Sequence, residues 1–134
     1  MRLHLKPIVD TSTIIEGGGL VVENPISFLG DVDPETGVLV QPDSRVKGEI
    51  VSNRVLFAPE GRGSTVGSYI MYALKFNRKQ PLALVMHKAE PIIITGAVIS
   101  DIPLLDGMPR DFYGTPRLLR KVIIEPGGWV EIYE

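Results

Sequence analysis

The chain contains no cysteine. That excludes a disulfide framework, a thiolate nucleophile and any cysteine-held zinc or iron–sulfur cluster within it. Histidine is nearly absent as well: His4 and His87 are the only two, neither with a ligand-type partner three or four residues away, so a histidine-rich metal site is not expected. Charge of one sign is missing too. Fourteen basic residues stand against sixteen acidic ones, interspersed, for a net charge of −2, which leaves no electrostatic footprint for nucleic acid. No run approaches the roughly 20 apolar residues that cross a bilayer, and "MRLHLKPIVD" carries neither a long apolar region nor a cleavage pattern. A cytoplasmic protein is the expectation.

What is present is a globular composition, 44% hydrophobic and 22% charged in 134 residues, expected as a single domain over 1–134. Fourteen glycines and eleven prolines predict frequent turns. "RLHLK" at 2–6 alternates polar and apolar, as a half-buried strand does. Strands are also predicted at 20–22, 26–30, 38–40, 54–58 and 82–86. "DPETG" at 33–37 is a turn signal, with Pro34 presetting φ and Gly37 taking positive φ at the exit. Residues 41–48, "QPDSRVKG", look like a polar loop, and 101–120 look irregular. "PIIITGAVIS" at 91–100 is β-branched and almost continuously apolar, which predicts a strand buried on both faces. "KVIIEPGGWVEIYE" predicts a closing hairpin turning at 126–128.

One helix is predicted, over 64–77. Val66, Tyr69, Ile70, Ala73 and Leu74 fall on one helical face, with basic and polar residues at its end and Pro81 beyond. With the strands on either side it forms a βαβ passage over 54–86. The expected fold is therefore mixed α+β, barrel-like or sandwich-like sheets with one main helix packed on them.

"GRGSTVGSY" at 61–69 opens that helix and is the best candidate site. It is not a Walker A loop, because Val66 stands where the second glycine belongs and no lysine follows. It is not a dinucleotide fingerprint either, since Val66 again replaces the last glycine. Two readings of Ser64 remain. It can simply cap the helix, worth about 1 kcal/mol. Or the free amides and positive end of the helix, together with Arg62, can favour an anion there and make Ser64 a proton acceptor. With no histidine in the loop, triad hydrolysis is the less natural chemistry. Asp31 and Asp33 resemble a carboxylate pair, but Asp33 in "DVDPETG" suits a side-chain turn bond. Ser68 can point at the same site or serve as a small packing residue. Tyr69 is expected in the core, His4 and His87 as structural, and Trp129 as closing the core or meeting a partner.

"PISFLGDVDPETG", "RVLFAPEGRGSTVGSYIMYAL" and "AEPIIITGAVISDIPLLD" together resemble the small subunit of the aconitase-X group, in order, from about residue 16 to 106. "QPDSRVKG" departs from it where a histidine-proline pair would precede the glycine. The resemblance implies a swivelling β/β/α domain that closes over a larger, cysteine-bearing subunit holding a [4Fe-4S] cluster, this chain binding no metal or cofactor itself. It implies a hydro-lyase active only as the assembled pair, dehydrating a small phosphorylated hydroxy acid, (R)-5-phosphomevalonate, to its trans-anhydro form. The cluster's open iron would take the leaving hydroxyl. Carried over by position, Ser64 is the proton acceptor; from the chemistry of the loop itself, Arg62, Gly63 and Thr65 beside it are expected to bind substrate. Another hydroxy acid such as a hydroxyproline, or a non-catalytic anion-binding module, stand as alternatives.

Overall fold

A computed structural model describes residues 1–134. Eight strands form one sheet: β1 (Arg2–His4), β2 (Lys6–Val9), β3 (Ile15–Val21), β4 (Arg54–Glu60), β5 (Ala83–Lys88), β6 (Leu104–Asp106), β7 (Arg117–Glu125) and β8 (Trp129–Tyr133). Their spatial order is β1-β8-β7-β3-β4-β5-β6-β2. The two end strands are consecutive in the chain, separated only by Leu5. The N-terminal run thus pairs with β8 through its first half and with β6 through its second, both antiparallel, and closes the sheet on itself. The Leu5 amide donates to the Gly128 carbonyl at 2.8 Å across this seam. The expected barrel is present, but the single strand predicted at 2–6 is two.

Strands β3, β4, β5 and β6 run parallel and carry the helices. Alternation along them sorts the core into two layers. Val21, Val55, Phe57, Val85 and Leu105 point into the barrel, where Phe112 and Tyr113 of a 3-10 turn (Arg110–Gly114) plug it. The Tyr113 hydroxyl donates to the Val85 carbonyl at 2.8 Å, and burial raises its pKa far above the ordinary phenol value. Leu20, Leu56, Leu84, Met86 and Leu104 point outward beneath the helices. Strands β7 and β8 bury one face only, leaving Leu118, Trp129 and Tyr133 partly in water.

Two helices cover the parallel strands, α2 (Val66–Phe76) and α3 (Pro91–Ser100); a tight turn with non-helical angles at Leu29 and Gly30, α1 (Phe28–Asp31), precedes them. Segment 91–100 is therefore a helix, not the strand its apolarity predicts. The Glu90 carboxylate caps it, accepting from the amides of Ile92 (3.1 Å) and Ile93 (2.9 Å), and Pro91 fits the first turn, where an amide would be orphaned. Gly96 then lets Ser68 of α2 approach to 3.3 Å of where a Cβ would stand. Helix α2 is slightly shorter than predicted and rotated. Its buried residues are Gly67, Ser68, Met71 and Leu74, while Tyr69 is 71% exposed rather than in the core. Contact with α3 selects the small residues for the inner face and turns the aromatics out.

Three further expectations change. Segment 26–30 is an isolated bridge from Ile26 to Gly61 followed by α1, and 38–40 contributes only isolated bridges. Residues 101–120 contain β6, the 3-10 turn and the start of β7. Pro103, Pro109 and Pro116 lie in the connections between them. No helix is long and apolar enough to cross a membrane.

The 41–48 segment is tied down by Glu23. Its carboxylate accepts from the Ser44 hydroxyl at 2.6 Å and the Arg45 amide at 2.8 Å. Burial works to raise the Glu23 pKa, but these hydrogen bonds and the Arg45 charge outweigh it and hold the carboxyl below its usual 4.5. The folded value being lowered, the contribution is whole above the unfolded pKa and is lost as pH falls through the folded one. Glu23→Gln is expected to cost about 1–2 kcal/mol at pH 7. Thermal melts should show that deficit shrinking as pH drops from about 5 to 3. A deficit constant with pH would sink the assignment.

Candidate active site

Connections leaving the carboxyl ends of parallel strands gather on one rim, where α/β sheets ordinarily bind ligands. Here β3 leads to Ile26 and Ser27, β4 to 61–65, and β5 to the Glu90 cap. The 61–65 loop is stitched to the first of these. The Ile26 amide donates to the Glu60 carbonyl and the Arg62 amide to the Ile26 carbonyl, each at 2.9 Å. Gly63 sits at φ +102°, in the left-handed region, and any Cβ there would come within 2.6 Å of the Ser27 Oγ. Glycine is thus required twice over, by backbone conformation and by the close approach.

Ser64 is exposed, two residues before α2. Its Oγ accepts from the Val66 amide at a long 3.4 Å, so the cap it provides is weak; Thr65 occupies the capping position itself and makes no side-chain cap bond. The Ser64 carbonyl takes the Gly67 amide at 3.1 Å. The amides of Gly63, Ser64 and Thr65 find no acceptor in the chain. At the helix's positive end these free donors suit a negative oxygen.

Arg62 reaches toward Asp31, Nη2 to Oδ2 at 3.9 Å, with the arginine side chain 55% exposed and the aspartate 8%. A long ion pair to a half-exposed arginine adds only about 0–1 kcal/mol to stability. The same Oδ2 accepts the Ser27 amide at 2.7 Å and Gln41 Nε2 at 3.0 Å. Asp31 and Asp33 do not form a pair. Asp33 instead accepts the Glu35 amide at 2.9 Å, closing the "DPETG" turn as expected. Gln41, fully buried, escaped the sequence reading altogether; a polar residue in a Pro- and Asp-bearing stretch carries no local sign of burial.

The structure therefore brings Arg62, Gly63, Ser64 and Thr65 together, with Asp31 and Gln41 behind them. Ser68 is not among them: its hydroxyl donates to the Ile92 carbonyl at 3.0 Å, fastening α2 to α3. Beside the loop, Thr65 and Tyr69 face Pro91, Ile92 and Thr95 across a groove of about 310 Å³. Neither histidine bonds to Ser64. His4 Nε2 pairs with the Gly127 carbonyl at 2.8 Å and its ring stacks on Trp129; His87 Nδ1 pairs with the Met108 carbonyl at 2.9 Å. Trp129 lies between His4 and the Arg2 guanidinium, on the sheet's outer face. No cluster of three or more histidine, aspartate or glutamate side chains is placed to hold a metal ion.

Comparison with known proteins agrees with this architecture. The phosphomevalonate dehydratase small subunit of Thermococcus kodakarensis is 45% identical over 134 residues, covering 100% of this chain and 98% of that one. The protein of the same name from Pyrococcus abyssi is 54% identical over 95 residues, 71% of this chain and 73% of its own. Among solved structures, holo aconitase X of Thermococcus kodakaraensis superposes with a TM-score of 0.89 at 43% identity, over 100% of this chain and 99% of that one. A UPF0107 protein solved by NMR follows at 0.85 and 36%, with both chains covered in full. Residues 2–132 match the aconitase X swivel domain, from the seam strand β1 through the loop at 61–65 to β8, and the chain belongs to that family.

Proposed function

We propose that this chain is the small subunit of a phosphomevalonate dehydratase and that Ser64 is its proton acceptor. The full-length relative bearing that name supports the activity. The observation carrying the residue assignment is the exposed Ser64 hydroxyl on the carboxyl rim, beside three amides with no acceptor in the chain.

Dehydrating (R)-5-phosphomevalonate breaks a C–H bond on the carbon beside the carboxylate. That electron pair becomes the new double bond as the C–O bond to the neighbouring hydroxyl breaks. The proton needs an acceptor held close to it, and Ser64 Oγ is that acceptor. A serine hydroxyl is un-ionised near neutral pH; the positive end of α2 and the amides of 63–65 stabilise its alkoxide in a fixed, already oriented field. Gly63 and Thr65 contribute amides, and Arg62, half in water, offers its guanidinium fork to a carboxylate or phosphate oxygen of the substrate.

This chain does not fit an iron–sulfur cluster, having no cysteine. Holding the cluster and receiving the hydroxyl are work for a larger, cysteine-bearing partner. The test is an anaerobic assay of this chain with that partner, its cluster reconstituted, following alkene formation from phosphomevalonate. Turnover only in the mixture is the expected result. A complex that forms yet leaves phosphomevalonate untouched would overturn the substrate assignment. Dehydration by the small chain alone would overturn the division of labour.

A further inference from the structure

We infer that Asp31 is a positioning residue for substrate binding, acting through Arg62. The inference rests on the roles proposed above for Ser64 and Arg62, and adds a residue to them.

The Asp31 carboxylate is itself held in place. Its Oδ2 accepts from the Ser27 amide at 2.7 Å and from Gln41 Nε2 at 3.0 Å. Gln41 is in turn fixed by donating to the Pro25 carbonyl at 3.0 Å and accepting from Asn24 at 3.3 Å. These are neutral donors, and the cation facing the same oxygen is Arg62, at 3.9 Å. A free arginine spreads over many rotamers, and ordering it on binding lowers affinity. A stationary carboxylate facing its guanidinium narrows that spread before substrate arrives.

The main chain of Arg62 is clamped from the same segment, its amide on the Ile26 carbonyl and Gly63 seated against Ser27. Ile26–Asp31 thus clamps the Arg62 main chain and sets a carboxylate before its guanidinium. A single long contact, rather than a closed bidentate pair, leaves most of the guanidinium's donors for an anion. The geometry is that of an aimed arginine, not of one already satisfied.

Asp31→Asn keeps the side chain's size and an acceptor for Ser27. In the assembled, cluster-loaded enzyme it is expected to raise KM for phosphomevalonate about fivefold while changing kcat less than about twofold, the mark of lost binding rather than lost chemistry. In an Arg62→Ala background the same change is expected to add nothing, because its effect passes through the missing guanidinium. An equal rise in KM in both backgrounds would show that Asp31 serves the fold alone and would overturn the inference. A second measurement does not depend on the variant folding. In the wild-type chain, the NMR order parameter of the Arg62 Nε–H is expected above about 0.6; a flexible value below that overturns the inference as well. Failure of the wild-type complex to dehydrate phosphomevalonate would sink the substrate reading while leaving the order parameter to decide the role of Asp31.

Discussion

Replacing Ser64 by alanine is expected to reduce dehydration by the assembled enzyme roughly 10³-fold, within the range by which a positioned proton acceptor accelerates a reaction. That is about 4 kcal/mol of barrier. The structure separates this loss from unfolding. The Ser64 side chain is exposed, and its one hydrogen bond, to the Val66 amide, is 3.4 Å long. Removing so weak a cap costs about 0.5 kcal/mol, so the variant should melt near the wild type and still bind its partner. Single-turnover kinetics on a cluster-loaded complex give the reading: kcat and kcat/KM should fall together, as they do when an interaction belongs to the transition state. Turnover within threefold of wild type would remove Ser64 from the chemistry and return it to its bland role as a helix-start residue.

How much of this was legible beforehand differs from place to place. The loop at 61–65 was, because the hydrophobic period changes there from strand to helix and the glycines stand at the junction. The "DPETG" turn and the final hairpin were legible for the same local reason: Gly37 takes φ +74°, and β7 and β8 meet across 126–128. Segment 91–100 was misread because an all-apolar, β-branched run has no usable period. The deciding signal lay at its edge, in Glu90-Pro91, an acceptor for first-turn amides followed by a residue that needs no amide bond. The inner face of α2 was misassigned because what packs against it is another helix, which rewards Gly67 and Ser68 over Tyr69. Nothing local could announce the Asp31–Gln41–Arg62 cluster, assembled from three separate connections. Nor could it announce that residues 2–9 close the barrel, since that pairing joins residues about as far apart as the chain allows.

That closure makes the second large prediction. Gly128→Ala is expected to destabilise the chain by about 3 kcal/mol or more. It combines a left-handed φ, costing about 1–3 kcal/mol, with a Cβ driven into main chain that cannot rotate away. Gly128 lies at φ +95°, and the added carbon would run onto the Leu5 carbonyl oxygen and stand 3.1 Å from both the Leu5 carbonyl carbon and Pro7 Cδ. Leu5 is the hinge between the two seam strands, and its amide bonds back to the Gly128 carbonyl. The clash thus pushes apart the residues that join the two ends of the sheet. Gly127 supplies the control: it has nearly the same φ, +92°, with nothing within 4 Å of an added Cβ. Gly127→Ala should therefore show the conformational cost alone, about 1 kcal/mol. Thermal melts of the two variants separate the effects, and on this scale Gly128→Ala should lower Tm by roughly 12 °C against about 4 °C for Gly127→Ala. Equal losses would mean that the turn, and not the seam, limits stability. A threefold difference would place the barrel's weakest point at Leu5, where a single residue joins strands at opposite ends of the sheet order.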